Sequence, residues 1–578
     1  MTSPTEPKST KKRAGRKRLP PLAPGPALQF VVASHPDDFK ADDTMRNIRS
    51  HVMYKHRGEQ RGISPLRGSR STERRRATFT RTPSPMTTAS DGYLEDSNYL
   101  APPRRRSTIW DGQFIQFMSQ SSQLGPARDL AARIISATTA EPPRSAPPTF
   151  DQGSEFPFLG SNILGQQSLE DLKNLHFQSG EFCQDRAWMG IVCRTRMSFL
   201  SHVSATCVYQ DVAEGLLDDS ALTVYAKTKI LRMIKDSLQN FNTQTDDFTI
   251  LSILHLLISE IGGFDEDAFD IHQGALFRII QQRGGISNLG NNGDIATFLT
   301  LVVLSFTILR NQAEPDILHG YLPNPRHSSM SGQLLLVSPL YAPNGDLSVI
   351  FSSCSSATYD ILCDMYRLTH AFLARWNYVG DNYPSSSTPD PTSYDSHMQQ
   401  IYTRLLLRPS TDDELTTDWT YESVRLASLI YCRSIVQGDP LSDSANVMHA
   451  RPSGGDLAGT TIICALHNAL EHTDKRGLWG NMCGVFLWIC LVGGAASWAS
   501  THPIYSERDE RQTTAAWVRK CFALFAVKAS LSHGFEYAGA VVEAQRRMLQ
   551  VLNFIGLERG IISSMFLTIE EAEAGIAS

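Results

Sequence analysis

Residues 246–261, DDFTILSILHLLISEI, place the tightest constraint on what this chain can fold into. Apolar side chains stand at 248, 250, 251, 253, 254, 256, 257, 258 and 261, which fits no two-residue alternation and covers every side of a helix. Asp246 and Asp247 open the segment and Gly262-Gly263 close it, the chemistry of a helix start and stop. A helix that is apolar all round must be surrounded, so further helices have to pack on it. The next segment, DEDAFDIHQGALFRIIQQRGG, is expected to put Ala268, Ile271, Ala275, Leu276, Ile279 and Ile280 on one face and to stop at Gly284-Gly285, where left-handed backbone is easy. The short GGFDED link predicts an antiparallel pair.

The same periodicity predicts helices over 182–199, 220–241, 296–309, 357–376, 397–407, 421–437, 460–472, 484–500, 514–530 and 536–554, with long loops at 311–346, 377–396 and 438–459. The fold class expected is all-α, one large helical domain over 160–578. Residues 477–501 carry no charge and include Gly480-x-x-x-Gly484, long enough to span a bilayer. Asn481, five glycines and several Ser/Thr dilute the apolarity, so a central core helix is expected there and no membrane partner.

The chain before this domain has a different character. Residues 1–110 hold 22 Lys+Arg against 10 Asp+Glu, a net of +12; the other 468 residues hold 32 against 49, a net of −17. A basic arm on an acidic body suits an anionic partner or a transport receptor. Lys11, Lys12, Arg13, Arg16, Lys17 and Arg18 lie in one proline-flanked stretch, read as a nuclear-import signal in a disordered arm over 1–28, with a nuclear import receptor as partner and DNA as a second. The RAGRKRLPP stretch is similar to an AT-hook but lacks its flanking prolines in register. A short motif follows over 29–57, with a helix expected at 41–54. Residues 58–159 are rich in Ser, Pro and Arg and are read as a disordered linker, its apolar content too low to offset the entropy of ordering. Arg74–Arg76 before Thr78, Arg104–Arg106 before Ser107, and the Thr82-Pro83 and Ser84-Pro85 pairs mark Thr78, Thr82, Ser84 and Ser107 as candidate phosphorylation sites.

Motifs of chemistry are largely missing. All ten cysteines lie at or after Cys183, none in a C-x-x-C pair, which excludes a zinc ribbon or finger and fits buried thiols in a reducing compartment. Residues 1–26 have Lys, Arg and Pro where a signal peptide would be apolar. There is no G-x-S-x-G elbow, no phosphate loop and no H-E-x-x-H. His467 and His472, five apart, fall on different helix faces; Asp218-Asp219, Asp246-Asp247 and Asp412-Asp413 lack the third carboxylate that magnesium-diphosphate chemistry needs. No cofactor, no metal site and no enzymatic activity are expected.

Two segments carry a resemblance. The pattern His272-x-Gly274-Ala275, Ile279-Ile280-x-x-Arg283-Gly284-Gly285-Ile286 and Leu289 resembles a segment of the fungal-specific transcription factor regulatory domain. Leu487-Trp488-x-x-x-x-Gly493-Gly494-Ala495 is similar to a later helix of that family, with Ile489 where the family often has Pro. Ile48–Met53 also looks like a motif that recurs in fungal proteins carrying this domain. The resemblance spans about 160–560 and makes His272, Arg283, Gly284, Gly285, Trp488 and Gly494 its structural markers. It implies a nuclear helical domain that controls transcription, often as a homodimer or a heterodimer with related regulators. The family's six-cysteine zinc cluster cannot form within residues 1–182, which contain no cysteine. The expected function is therefore a nuclear transcriptional regulator without its own zinc cluster. The alternatives are a non-DNA-binding corepressor or decoy that pairs with zinc-cluster factors, and a helical ligand binder or enzyme.

Overall fold

The computed structural model describes residues 125–139, 169–179, 185–263, 266–323, 336–380, 391–411, 418–449, 460–498 and 510–576, with backbone alone at 179, 377–380, 391, 510–513 and 559–576. The chain divides into two units, Met1–Pro102 and Pro103–Ser578, and every described residue belongs to the second. Among the described residues the fold is all-α, as expected. Its helices are α1 (Pro126–Thr139), α2 (Leu169–Ser179), α3 (Arg186–Val192), α4 (Arg196–Ala213), α5 (Ala221–Gln239), α6 (Asp247–Glu260), α7 (Glu266–Gln282), α8 (Asp294–Leu309), α9 (Ser356–Gly380), α10 (Pro391–Leu406), α11 (Trp419–Gln437), α12 (Leu441–Ala445), α13 (Ile462–Glu471), α14 (Cys483–Ser497), α15 (Glu510–Ser532) and α16 (Ala538–Ile576). No β-strand occurs among the described residues; two isolated bridges, Ser338–Tyr341 and Met448–Thr461, hold loops.

Side-chain caps set the starts of α3, α4, α5, α6 and α11. Asp185, Thr195, Ser220, Asp246 and Asp418 accept from the backbone N–H of Trp188, Ser198, Thr223, Thr249 and Tyr421, each satisfying a donor the helix cannot. The two most apolar helices enter differently. Asn291, Asn292 and Gly293 precede α8 with φ of 57°, 57° and 86°, and Leu478, Trp479 and Gly480 precede α14 with φ of 40°, 67° and 53°. Each core helix is thus reached through three consecutive left-handed residues.

Helix α8 packs against α6, α14, α15 and α16, and α14 against α8, α11, α12, α13 and α15. All of α8 after Asp294 is buried, as is α14 up to Ala496. Both helices are long and apolar enough to cross a membrane, yet 83% of each such segment is buried inside the protein. Glycines let α14 in close. A Cβ on Gly484 would overlap the Val337 carbonyl, one on Gly493 the Phe522 ring and one on Gly494 the tip of Leu309. The Gln545 Nε2 amide donates to the Leu301 carbonyl (3.0 Å), Ser305 Oγ (2.9 Å) and Ser530 Oγ (3.2 Å), tying α8, α15 and α16, while its Oε1 has no hydrogen-bond partner among the described residues.

The structure departs from the sequence expectations at several places: α2 and α12 stand where no helix is expected, α12 inside the expected loop 438–459, and α9 and α10 extend into the expected loop 377–396. The stretch 58–159 is expected to be disordered, but residues 126–139 form α1, which packs on α2, α4 and α5. The helix expected at 182–199 is two helices, broken at 193–195, where Thr195 caps the second. Helix α4 then continues to Ala213, unread because Ser198, Ser201, His202, Ser204 and Thr206 interrupt its apolar pattern although all are buried. On α7 the buried face holds Phe269, Gln273, Leu276, Ile279 and Ile280, while Ile271 is 43% exposed. The larger Phe269 sets the rotation, its ring 5.2 Å from Phe306 and under the Arg310 guanidinium at 5.0 Å.

Candidate functional site

The import cluster Lys11, Lys12, Arg13, Arg16, Lys17 and Arg18, the expected 41–54 helix and the sites Thr78, Thr82, Ser84 and Ser107 lie outside the described residues. The markers of the family resemblance do not, and they build one corner and one core contact.

The corner joins α6, α7 and the start of α8. The Arg283 guanidinium donates to the Thr245 carbonyl (2.6 Å) and the Asn288 carbonyl (3.3 Å) and pairs with Asp247 (2.8 Å). It thereby fastens the end of α7 to the start of α6. Gly284 and Gly285 turn the chain with φ of 93° and 100°, which a β-carbon resists. The Asn288 amide closes the turn by donating to the Gly284 carbonyl (2.9 Å), and the Gly290 N–H donates to Asp247 (3.2 Å). On the far side of the hairpin, His272 Nδ1 meets Glu260 at 2.9 Å. Trp488, fully buried on α14, stands edge-on to Tyr431 at 5.7 Å, and Gly494 admits Leu309 of α8. All six markers hold helices together; none is arranged as a reacting group.

Two buried polar clusters stand where sequence reasoning found nothing. His176 of α2, His202 of α4 and His255 of α6 form a ladder of edge-to-face imidazoles, with centroids 5.4 Å and 5.2 Å apart, ending on Phe298 at 5.4 Å. His255 Nδ1 shares a hydrogen bond with Ser201 Oγ (3.0 Å), and its Nε2 has no hydrogen-bond partner among the described residues. Burial disfavours the charged form of each ring: it lowers His176 to about 4 and His255 to about 3, and it depresses His202 with help from the other two. The ladder is neutral at physiological pH.

The second cluster is an arginine socket. Arg128 of α1 reaches Asp211 Oδ1 (2.7 Å) and Glu214 Oε1 (2.6 Å), across 83 and 86 residues of chain. The other Asp211 oxygen is already held by the Ser220 N–H (3.0 Å) and the Thr223 hydroxyl (2.6 Å). The carboxylate is therefore oriented by the body, with one oxygen turned to the helix. The signal that reveals α1 in the sequence is the spacing 128, 131, 132, 135, 138, with an arginine on the apolar stripe.

Among the described residues no group of three or more His, Cys, Asp or Glu could hold a metal ion. His467 Nε2 lies 3.9 Å from Glu471, and His472 Nδ1–H instead donates to the Asn468 carbonyl (2.7 Å) while the ring stacks on Trp419. Burial pushes the thiols of Cys193 and Cys521 up to about 12 and that of Cys483 to about 11, which makes them poor nucleophiles. The model of the fungal specific transcription factor domain matches residues 210–539. No curated protein and no solved structure matches the chain. With more than half of its length matched, and with α6, α7, the Arg283 corner and α14 all inside the matched stretch, the chain belongs to the family defined by the fungal specific transcription factor domain.

Proposed function

We propose that this protein is a nuclear transcriptional regulator whose helical body is the regulatory and partner-binding domain and whose basic arm supplies nuclear import and salt-sensitive affinity for DNA. The observation that carries the reading is the family membership of the body, which is regulatory rather than catalytic. The net +12 of residues 1–110 supports the role of the arm. Because residues 1–182 hold no cysteine, DNA reading by a zinc cluster has no ligands in that stretch, and contact would come from the arm or from a partner. Phosphate neutralisation releases counterions, so such binding weakens steeply with salt and is weakened further by phosphorylation at Thr78, Thr82, Ser84 or Ser107.

Replacing Lys11, Lys12, Arg13, Arg16, Lys17 and Arg18 by neutral residues should abolish nuclear accumulation of the full-length protein; unchanged accumulation rejects the import role. The cysteine-free stretch also favours a second reading, a corepressor or decoy that pairs with zinc-cluster relatives. Chromatin occupancy separates the two. Occupancy lost on replacing residues 1–60 by an unrelated import signal that keeps the chain nuclear supports DNA contact through the arm, whereas occupancy that persists and follows a copurifying partner supports the second.

A further inference from the structure

We propose that the surface of α4 and α5 beneath α1 is a docking groove for an amphipathic helix headed by an arginine, and that α1 fills it as an exchangeable latch. The residues that α1 buries are Arg128, Ala131, Ala132, Ile134, Ile135 and Thr138, a single stripe at helical spacing. Its arginine enters a site that the body has already built: Asp211 is 1% exposed and keeps one oxygen engaged with Ser220 and Thr223 while offering the other to the guanidinium. Glu214 adds a second acceptor at the rim, its side chain 49% exposed. Preorganised acceptors of this kind select a planar guanidinium over an ammonium.

Although its apolar face is buried, two features set the occupant apart from the centre of the fold. Helix α1 packs on α2, α4 and α5, and none of its main contacts is with α8 or α14. Its apolar face consists of two alanines and two isoleucines, a small burial against the entropy of fixing fourteen residues. The occupant that would replace α1 is a partner helix with the same chemistry: an arginine followed at three, four and seven residues by small or β-branched apolar side chains. When α1 opens, Asp211 loses its directly bonded counter-charge, so the empty groove favours any helix that restores a guanidinium there. The inference does not depend on where in the cell the protein acts.

The test uses the full chain and a labelled peptide with the sequence of residues 125–139. In the wild-type chain, amide exchange of α1 should proceed through local opening, at least tenfold faster than in α8 and α14. In a chain carrying Ile134→Asp and Ile135→Asp, which weaken only the resident helix, the peptide should bind at least tenfold tighter than to wild type. A peptide with Arg128→Ala should lose that gain, and one with Arg128→Lys should recover little of it. Exchange of α1 only at the rate of α8 and α14 overturns the proposal. So does peptide binding that is no tighter in the weakened chain, or a doubly substituted chain that loses its whole fold, since either makes α1 part of the core.

Discussion

His202 has an imidazole on each side of it in the core, and burial opposes the protonation of every member of that ladder. The rings of His176 and His255 are held at about 4 and about 3, against about 6.5 in the unfolded chain. The unfolded state therefore takes up protons first. The contribution of these rings to stability is fully present above about pH 6.5 and is lost as the pH drops from there toward the folded values, by roughly 1.4 kcal/mol per pH unit for each ring. Urea midpoints should drop between pH 7.5 and pH 5, and His176→Leu should make that drop smaller; an equal drop in the variant would clear His176 of the effect. None of this is legible in the sequence. A histidine within SHVSA or ILHLL reads the same whether its ring faces water or another ring. Arg128 was hidden for a related reason: an arginine among Ser, Pro and Arg residues looks like linker until its partner, 83 residues on, is known.

Helices α6, α7, α11 and α14 were legible because each carries its own evidence, either an apolar surface all round or a cap followed by a stripe. Helix α4 was not, since its buried hydroxyls bond within the helix, Ser201 to the Ser198 carbonyl and Thr206 to that of His202, and so mimic a polar segment. Close packing between helices gives the sharpest predictions. Gly484→Ala should cost about 1–3 kcal/mol because the obstacle is the Val337 backbone carbonyl, whereas Gly494→Ala meets only the end of the Leu309 side chain and should cost less. Thermal melts of the two variants rank them, and the reverse order would contradict the packing described. At the Arg283 corner, Arg283→Ala should cost about 1–2 kcal/mol, and Arg283→Lys should not restore it, because a single ammonium cannot reach Thr245, Asn288 and Asp247 together. Chemical denaturation of the pair checks this.

The division of charge and the all-α class were readable from composition and periodicity alone, and the family was readable from motifs whose residues prove to be fasteners between helices. The boundaries of the folded unit were not, because they depend on contacts between distant segments. The matched stretch 210–539 opens three residues from the end of α4 and closes one residue into α16. A fragment cut at those limits would lose nearly all of α4, with Phe199, Leu200, Val203, Ala205, Cys207 and Val208, and would lose Gln545 with its bonds to α8 and α15. We expect that fragment to be insoluble and a fragment of residues 125–578 to be soluble and cooperative in its unfolding; a soluble 210–539 fragment with a single sharp melt would refute this. The stretch by which these proteins are recognised and the stretch that must fold together thus have different edges. A harmful substitution at Val203 or Met548 would fall outside the recognised domain and still act on it from within, so variants in the flanks should be weighed as core variants.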